Sequence, residues 1–363
     1  MTDEHVTSDS EEKSFFPDWA KPYSDIDGEI ASVYPAKPHF VLLGAGASKA
    51  ALPHGDRRGQ SVPVMLELVD ELNLIETIPD DLRELARADF EAAYSRLVER
   101  PEYDTQEIDK KITAFFSGLR LPKEPNLYDY LNLGLREKDA IFTFNWDPLL
   151  VQSQVRLRNM GVDRLPSLFF LHGNVSVGYC ERDDVSGIAG DAGIRGYPCS
   201  HCGQPFKPSK LLFPVEHKDY KSDPFIAREW EAAVEILEHC FWFTIFGYSA
   251  PKTDVEAVAL LKGAWGDIED RVFEQLEVIE RPGREDEDIR NTWDPFIHSH
   301  HYDIVHTFFE SSIAKHPRRT GEAYWNTYLF GQLTEDNPVP MNCENLESLI
   351  AWFEPLLSAE LME

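Results

Sequence analysis

Apolar residues in this chain gather in short runs that stop abruptly at glycine or at a small polar side chain. Phe40, Val41, Leu42 and Leu43 are followed without a spacer by Gly44, Gly46 and Ser48. A run that is apolar at every position predicts a strand covered on both faces. Glycine directly after it predicts a sharp turn into a helix N-terminus. Residues 140–144 predict a second strand, ending at Asn145, Trp146 and Asp147. Residues 167–171 predict a third, ending at His172 and Gly173. The most apolar run, 241–246, ends at Gly247, Tyr248 and Ser249, and 276–279 reads as the last strand. Helical spacing appears at 64–72, from Pro79 to about residue 100, through 105–137, and at 148–160, 224–238 and 254–265. Residues 302–363 read as mostly helical. Strands alternating with helices predict an α/β fold built on a Rossmann-like parallel sheet.

That pattern divides the chain. Residues 1–35 form an acidic leader, expected to be flexible or loosely docked. Residues 36–300 form the main domain, with a helical insertion at 60–137 and a Gly-, Asp- and Cys-rich module at 176–215. Residues 301–363 form a helical C-terminal region. The length of 363 residues and the 42% hydrophobic content allow a sizeable core. No apolar run approaches the roughly 20 residues of a membrane span. Met1 to Lys13 is polar and acidic, without the apolar centre of a signal peptide. Five cysteines in a chain this long do not read as a disulfide framework. The expected location is the cytoplasm. Thirty-five basic against 64 acidic residues give a net charge of −29, which argues against an extended nucleic-acid surface.

Three polar strand ends in one chain place reactive groups along one rim of the predicted sheet, where a nucleotide would be held. A neutral imidazole such as His172 takes a proton from water or a hydroxyl near neutral pH. The Asn145 amide donates and accepts, so it can hold a hydroxyl or a water. Asp147 before Pro148 also suits a helix start.

In that order, residues 44–48, 144–147, 171–173, a Cys-Xaa-Xaa-Cys pair and 247–249 resemble the motifs of the sirtuin (Sir2) superfamily, over residues 38–281. Residues 246–254 resemble its bacterial branch, many of whose members are NAD hydrolases of anti-phage defence. The resemblance implies roles residue by residue. Gly44, Ala45, Gly46 and Ser48 would hold the NAD pyrophosphate and neighbouring ribose. A side chain at Gly46 would then fill space the pyrophosphate needs, or force a strained turn. Asn145 would hold the nicotinamide ribose or the attacking water, and Asp147 would lie by the carboxamide. His172 would be the general base, with activity falling as it protonates near pH 6.5. Gly247, Ser249 and Glu280 would serve the adenosine half. One departure stands out: residues 51–56 lack the Phe-Arg pair that deacetylases carry there. Whether Asp56, Arg57 or Arg58 replaces it stays open.

The superfamily's metal module has two cysteine pairs. Here Cys199 and Cys202 make one, and the other is reduced to Cys180. A closed zinc site needs four ligands, so Asp183, His201 or His217 would supply the fourth. Cys240 and Cys343 read as ordinary thiols, and His298, His300, His301 and His306 as polar residues opening a helix.

The expected function is hydrolysis of NAD to nicotinamide and ADP-ribose, restrained by a partner protein or by homo-oligomerisation. The alternatives are an NAD-dependent protein deacylase and a non-enzymatic NAD-binding subunit of a larger assembly.

Overall fold

The computed structural model describes residues 24–34, 37–190, 195–213, 215, 218–251 and 254–361. It opens with α1 (Ile26–Ala31), capped by the Asp25 carboxylate, which accepts from the Gly28 N–H. β1 (His39–Leu43) is buried throughout and turns at Gly44 into α2 (Ala45–Ala51). The insertion folds as α3 (Leu68–Glu71), α4 (Arg83–Ala88), α5 (Phe90–Val98), α6 (Gln106–Gly118) and α7 (Leu127–Gly134). β2 (Ala140–Thr143), α8 (Leu149–Asn159) and β3 (Ser167–Phe170) follow. The small module contributes β4 (Val177–Cys180), β5 (Val185–Ile188) and β6 (Lys207–Pro208), paired antiparallel in the order β5-β4-β6. Then come α9 (Pro224–His239), β7 (Trp242–Phe246), α10 (Val255–Trp265), β8 (Gln275–Ile279), α11 (Asp286–Trp293) and β9 (Tyr302–Val305). The chain finishes with α12 (Ser312–Lys315), α13 (Thr320–Tyr328) and α14 (Leu346–Ala359).

The main sheet has six strands in the order β3-β2-β1-β7-β8-β9, all parallel. The chain builds outward from β1 to β3, crosses back, and builds outward again from β7. This is the doubly wound plan, and the place where its direction reverses lies between β1 and β7. The expected α/β architecture is therefore present, with its helical insertion, cysteine-containing module and C-terminal helices.

Side chains alternate across the sheet. Val41, Leu43 and Ile141 join one buried layer with the insertion helices and α14. Phe40, Leu42 and Phe142 join the other, with α9, α10 and α11. Phe142 stacks on Phe40 at 4.2 Å and on Phe169 at 4.7 Å between centroids, so aromatic rings tie β1, β2 and β3 side by side. The C-terminal region is clamped by charge. Arg318 and Arg319, both buried, converge on Glu360, and Arg318 takes both of its carboxylate oxygens at 2.6 Å.

Several expectations need correction. The last strand is not 276–279 but β9, at the start of a region read as helical, so a boundary at residue 300 cuts through the sheet. The helix from Pro79 to about 100 breaks at Asp89, whose carboxylate accepts from the Ala92 N–H and caps α5. Residues 65–67 form a tight turn, and only 68–71 are α-helical. His298, His300 and His301 lead into a strand, and His301 Nδ1 meets the Tyr324 hydroxyl at 2.9 Å. Residues 1–23 of the acidic leader lie outside the described residues. Its described end, α1, is tied down: the Arg319 guanidinium donates to the Ile30 carbonyl, and Glu29 meets His316 at 2.6 Å.

Candidate functional site

The reversal point brings two turns against each other. Gly46 donates its N–H to the Gly247 carbonyl at 3.0 Å, and Ala47 donates to Gly44. A Cβ on Gly44 would stand 2.5 Å from the Gly247 carbonyl oxygen. One on Gly46 would stand 2.8 Å from the Gly247 Cα. Gly247 itself has φ +63°, and a Cβ there would reach 2.3 Å from the Ala47 nitrogen. These glycines are needed so that two backbones can touch. The approach of Gly247 is by itself enough to require glycine at 46. Ala45 is the residue of the turn that faces outward.

One turn further along α2, Ser48 is 1% exposed and sits at the centre of a polar network. Its hydroxyl donates to the Asp147 carboxylate at 2.6 Å. It accepts from the Asn145 amide at 2.9 Å and from the Tyr128 hydroxyl of α7 at 2.7 Å. One donor and two acceptor positions are the whole capacity of a serine. The other Asn145 amide proton goes to the Gly44 carbonyl at 2.9 Å. Both donors of Asn145 are thereby spent, and its side-chain oxygen is the group left to accept from a ligand or water. Asp147 also accepts from the Leu149 N–H, so the capping role and the network role coexist. Burial lifts the Asp147 carboxyl above its ordinary range, against the pull of these hydrogen bonds.

β3 brings His172 to the same rim. Asn174 joins the two strand ends by donating to the main-chain oxygens of Asp147 at 2.6 Å and Asn145 at 3.3 Å. The His172 ring packs on Phe144 at 4.6 Å and lies almost parallel to Tyr220 at 5.9 Å. Its Nε2 meets the Tyr220 hydroxyl at 3.3 Å. Burial pulls the imidazole down to about 3, so it is neutral across the physiological range. An ordinary, solvated histidine would instead protonate near 6.5.

The structure thus joins Gly44, Gly46, Ser48, Asn145, Asp147 and Gly247 through direct contacts and sets His172 beside them. Ser249 is exposed past β7, and Glu280 pairs with Arg284 at 3.6 Å past β8. They share the rim without touching the network. Asp56 is buried and organises its own loop, accepting from the N–H groups of Arg58, Gln60 and Arg120. Tyr128, Asn174 and Tyr220 went unnoticed in the sequence. Only the nearness of Asn174 to His172 and Gly173 offered a signal.

In the small module, ligand atoms of Cys180, Asp183, Cys199 and Cys202 all lie within 4.8 Å of one another. Cys180 Sγ is 3.4 Å from Cys202 Sγ, and Cys199 Sγ is 3.2 Å from the Asp183 carboxylate. The tetrahedral edge around a zinc ion is about 3.5–3.8 Å for sulfur and oxygen ligands, so the set fits that ion. His201 is exposed and outside the cluster, and His217 lies outside the described residues. Cys240 is buried and Cys343 half-buried, both remote from it.

No protein-family model and no curated protein matches the chain. Among solved structures it is similar to a Sir2 enzyme at 14% identity and TM-score 0.36, covering 92% of this chain and 96% of that one. It is also similar to a Sir2 homologue in complex with NAD, at 16% identity and TM-score 0.35, covering 80% and 92%. A Sir2 protein bound to a myristoylated histone peptide is 16% identical, covering 83% and 98%, at TM-score 0.31. At that level of superposition no residue role passes from those proteins to this chain.

The glycine contact yields a stability prediction. Gly46→Val forces the two turns apart and should cost about 2 kcal/mol or more of unfolding free energy, read by urea denaturation. An unchanged midpoint would mean that the turns are not held by this approach.

Proposed function

We propose that this chain cleaves the nicotinamide–ribose bond of NAD with water, releasing nicotinamide and ADP-ribose. The observation that carries the reading is the Ser48–Asp147–Asn145 network, which fixes an unspent amide oxygen at the sheet's reversal point beside a buried, neutral imidazole. The bond breaks with oxocarbenium character, so a site that excludes bulk water and orients one molecule of it favours hydrolysis. Asn145 Oδ1 accepts from that water or from the ribose, and His172 takes the proton. Asp147 lies by the carboxamide. Ala45, with Gly44 and Gly46, walls the pyrophosphate, and Ser48 supports that turn from beneath, while Gly247, Ser249 and Glu280 serve the adenosine end. The motif resemblance supports the choice of NAD. It alone supports the setting, a cytoplasmic anti-phage defence by NAD depletion, held in check by a partner protein or by self-assembly.

The absence of the Phe-Arg pair at residues 51–56 favours water over an acylated peptide as the acceptor. The test is to incubate the purified protein with NAD, with and without an acetylated peptide, and to measure nicotinamide by chromatography. Release should not depend on peptide. Asn145→Ala should lower it at least about 10²-fold while circular dichroism stays unchanged. Release only with peptide would make the chain a deacylase, and none at all would leave a non-enzymatic subunit.

The buried imidazole also sets the pH profile. Since His172 is neutral well below pH 6.5, kcat/KM should show no loss with a midpoint near 6.5 between pH 8 and 5. A clear midpoint there would mean that the working histidine is solvated.

We further infer that Cys180, Cys199, Cys202 and Asp183 hold one structural zinc. Three thiolates and a carboxylate close the coordination, so no position remains for substrate. Elemental analysis should find about one zinc per chain, and Cys199→Ser should lose both metal and stability. A folded, active and metal-free preparation made without chelators would refute this.

A further inference from the structure

Tyr220 reaches His172 from outside the motifs, and its position is held by charge. Two residues before it, the Lys218 side chain is 3% exposed, and its ammonium pairs with Asp254 at the start of α10. The other Asp254 oxygen accepts from the Tyr248 hydroxyl at 3.0 Å. The Lys218 N–H donates to the Glu256 carboxylate at 3.1 Å. On the far side, Asp219 accepts from the N–H groups of Lys221 and Ser222, and Asp223 caps α9. Tyr220 is thus pinned from both directions, with its ring 4.7 Å from Trp230. Phe144, Tyr220, Trp230 and Tyr248 leave the Tyr220 hydroxyl as the polar partner of His172 Nε2.

We propose that the Tyr220 hydroxyl occupies the place at His172 Nε2 that a ligand hydroxyl or a water takes in the working enzyme, and that the Lys218–Asp254 pair latches it there. The inference rests on the NAD-cleaving reading above and adds the way the site is closed. Nε2 carries one proton or one lone pair, so it serves one hydrogen-bond partner in its ring plane at a time. A substrate hydroxyl therefore competes with Tyr220 rather than joining it. The latch suits this task. Burying a Lys–Asp pair costs about as much hydration as its attraction returns, so parting the ions into water is cheap. An apolar clasp of the same size would be lost at full cost on opening. Ligand affinity is then reduced by the fraction of molecules held closed.

Tyr220→Phe removes the hydroxyl and keeps the ring. Calorimetry should show NAD binding about 3- to 10-fold tighter, the factor of one neutral hydrogen bond, with KM falling alike and kcat within about twofold. Asp254→Asn weakens the latch while Tyr220 stays intact, and should shift affinity in the same direction. In unliganded protein carrying 15N-labelled histidine, the His172 Nε2 resonance should move in Tyr220→Phe. A tenfold fall in kcat at unchanged affinity would overturn the proposal, since Tyr220 would then serve turnover itself. An unmoved Nε2 resonance in a folded variant would overturn it too. That resonance is read without nucleotide, so it judges the contact even if the wild-type protein leaves NAD intact, in which case only the proposed activity fails.

Discussion

Everything at the rim depends on two backbones meeting where β1 and β7 end. Gly44 and Gly46 lie so close to Gly247 that no Cβ fits between them. The contact does three things at once. It joins the two halves of the doubly wound sheet at their reversal point. It seats α2 so that Ser48 points beneath the turn, toward β2. It also spends the Gly46 and Ala47 N–H groups within the protein, so the outward wall is narrower than a free helix start would provide.

From that seat follows the polar network. Ser48 has its full complement of partners, drawn from two separate segments: Tyr128 from α7, and Asn145 and Asp147 from the turn after β2. A buried carboxylate without such donors would be costly, and a half-satisfied network costs more than an apolar core. Both Asn145 amide protons are spent within the network, so its side-chain oxygen is the atom through which the proposed ligand or water would join it. The imidazole beside it is held neutral by its burial, and the same burial weakens it as a base.

Much of this was legible in the sequence. Strands β1, β2, β3, β7 and β8 announce themselves because each is built on a short, mainly apolar run, as strands of a covered parallel sheet are. β9 does not, because it sits at the sheet edge with Asp303 in its middle and little of it fully buried. The insertion reads as helical, and Pro122 and Pro125 mark the gap between α6 and α7, but the break at Asp89 does not show, because Asp89 acts as a cap only once the chain has turned there. Asn145, Asp147 and His172 stood out as polar residues ending apolar runs. Tyr128 and Tyr220 carry no local signal, since their importance arises from where distant segments meet, and Asn174 has only its nearness to His172. Gly46 stands out in the sequence as a glycine before a helix, but the second glycine that approaches it, Gly247, lies about two hundred residues away and gives no local sign.

The central claim is that the rim formed by residues 44–48, 145–147 and 172–174 is one ligand site for NAD. Amide hydrogen exchange of the wild-type protein with and without NAD tests it most directly. The account predicts slowed exchange in all three segments together. Unchanged exchange at the rim under saturating NAD, or protection confined to another face of the sheet, would contradict it.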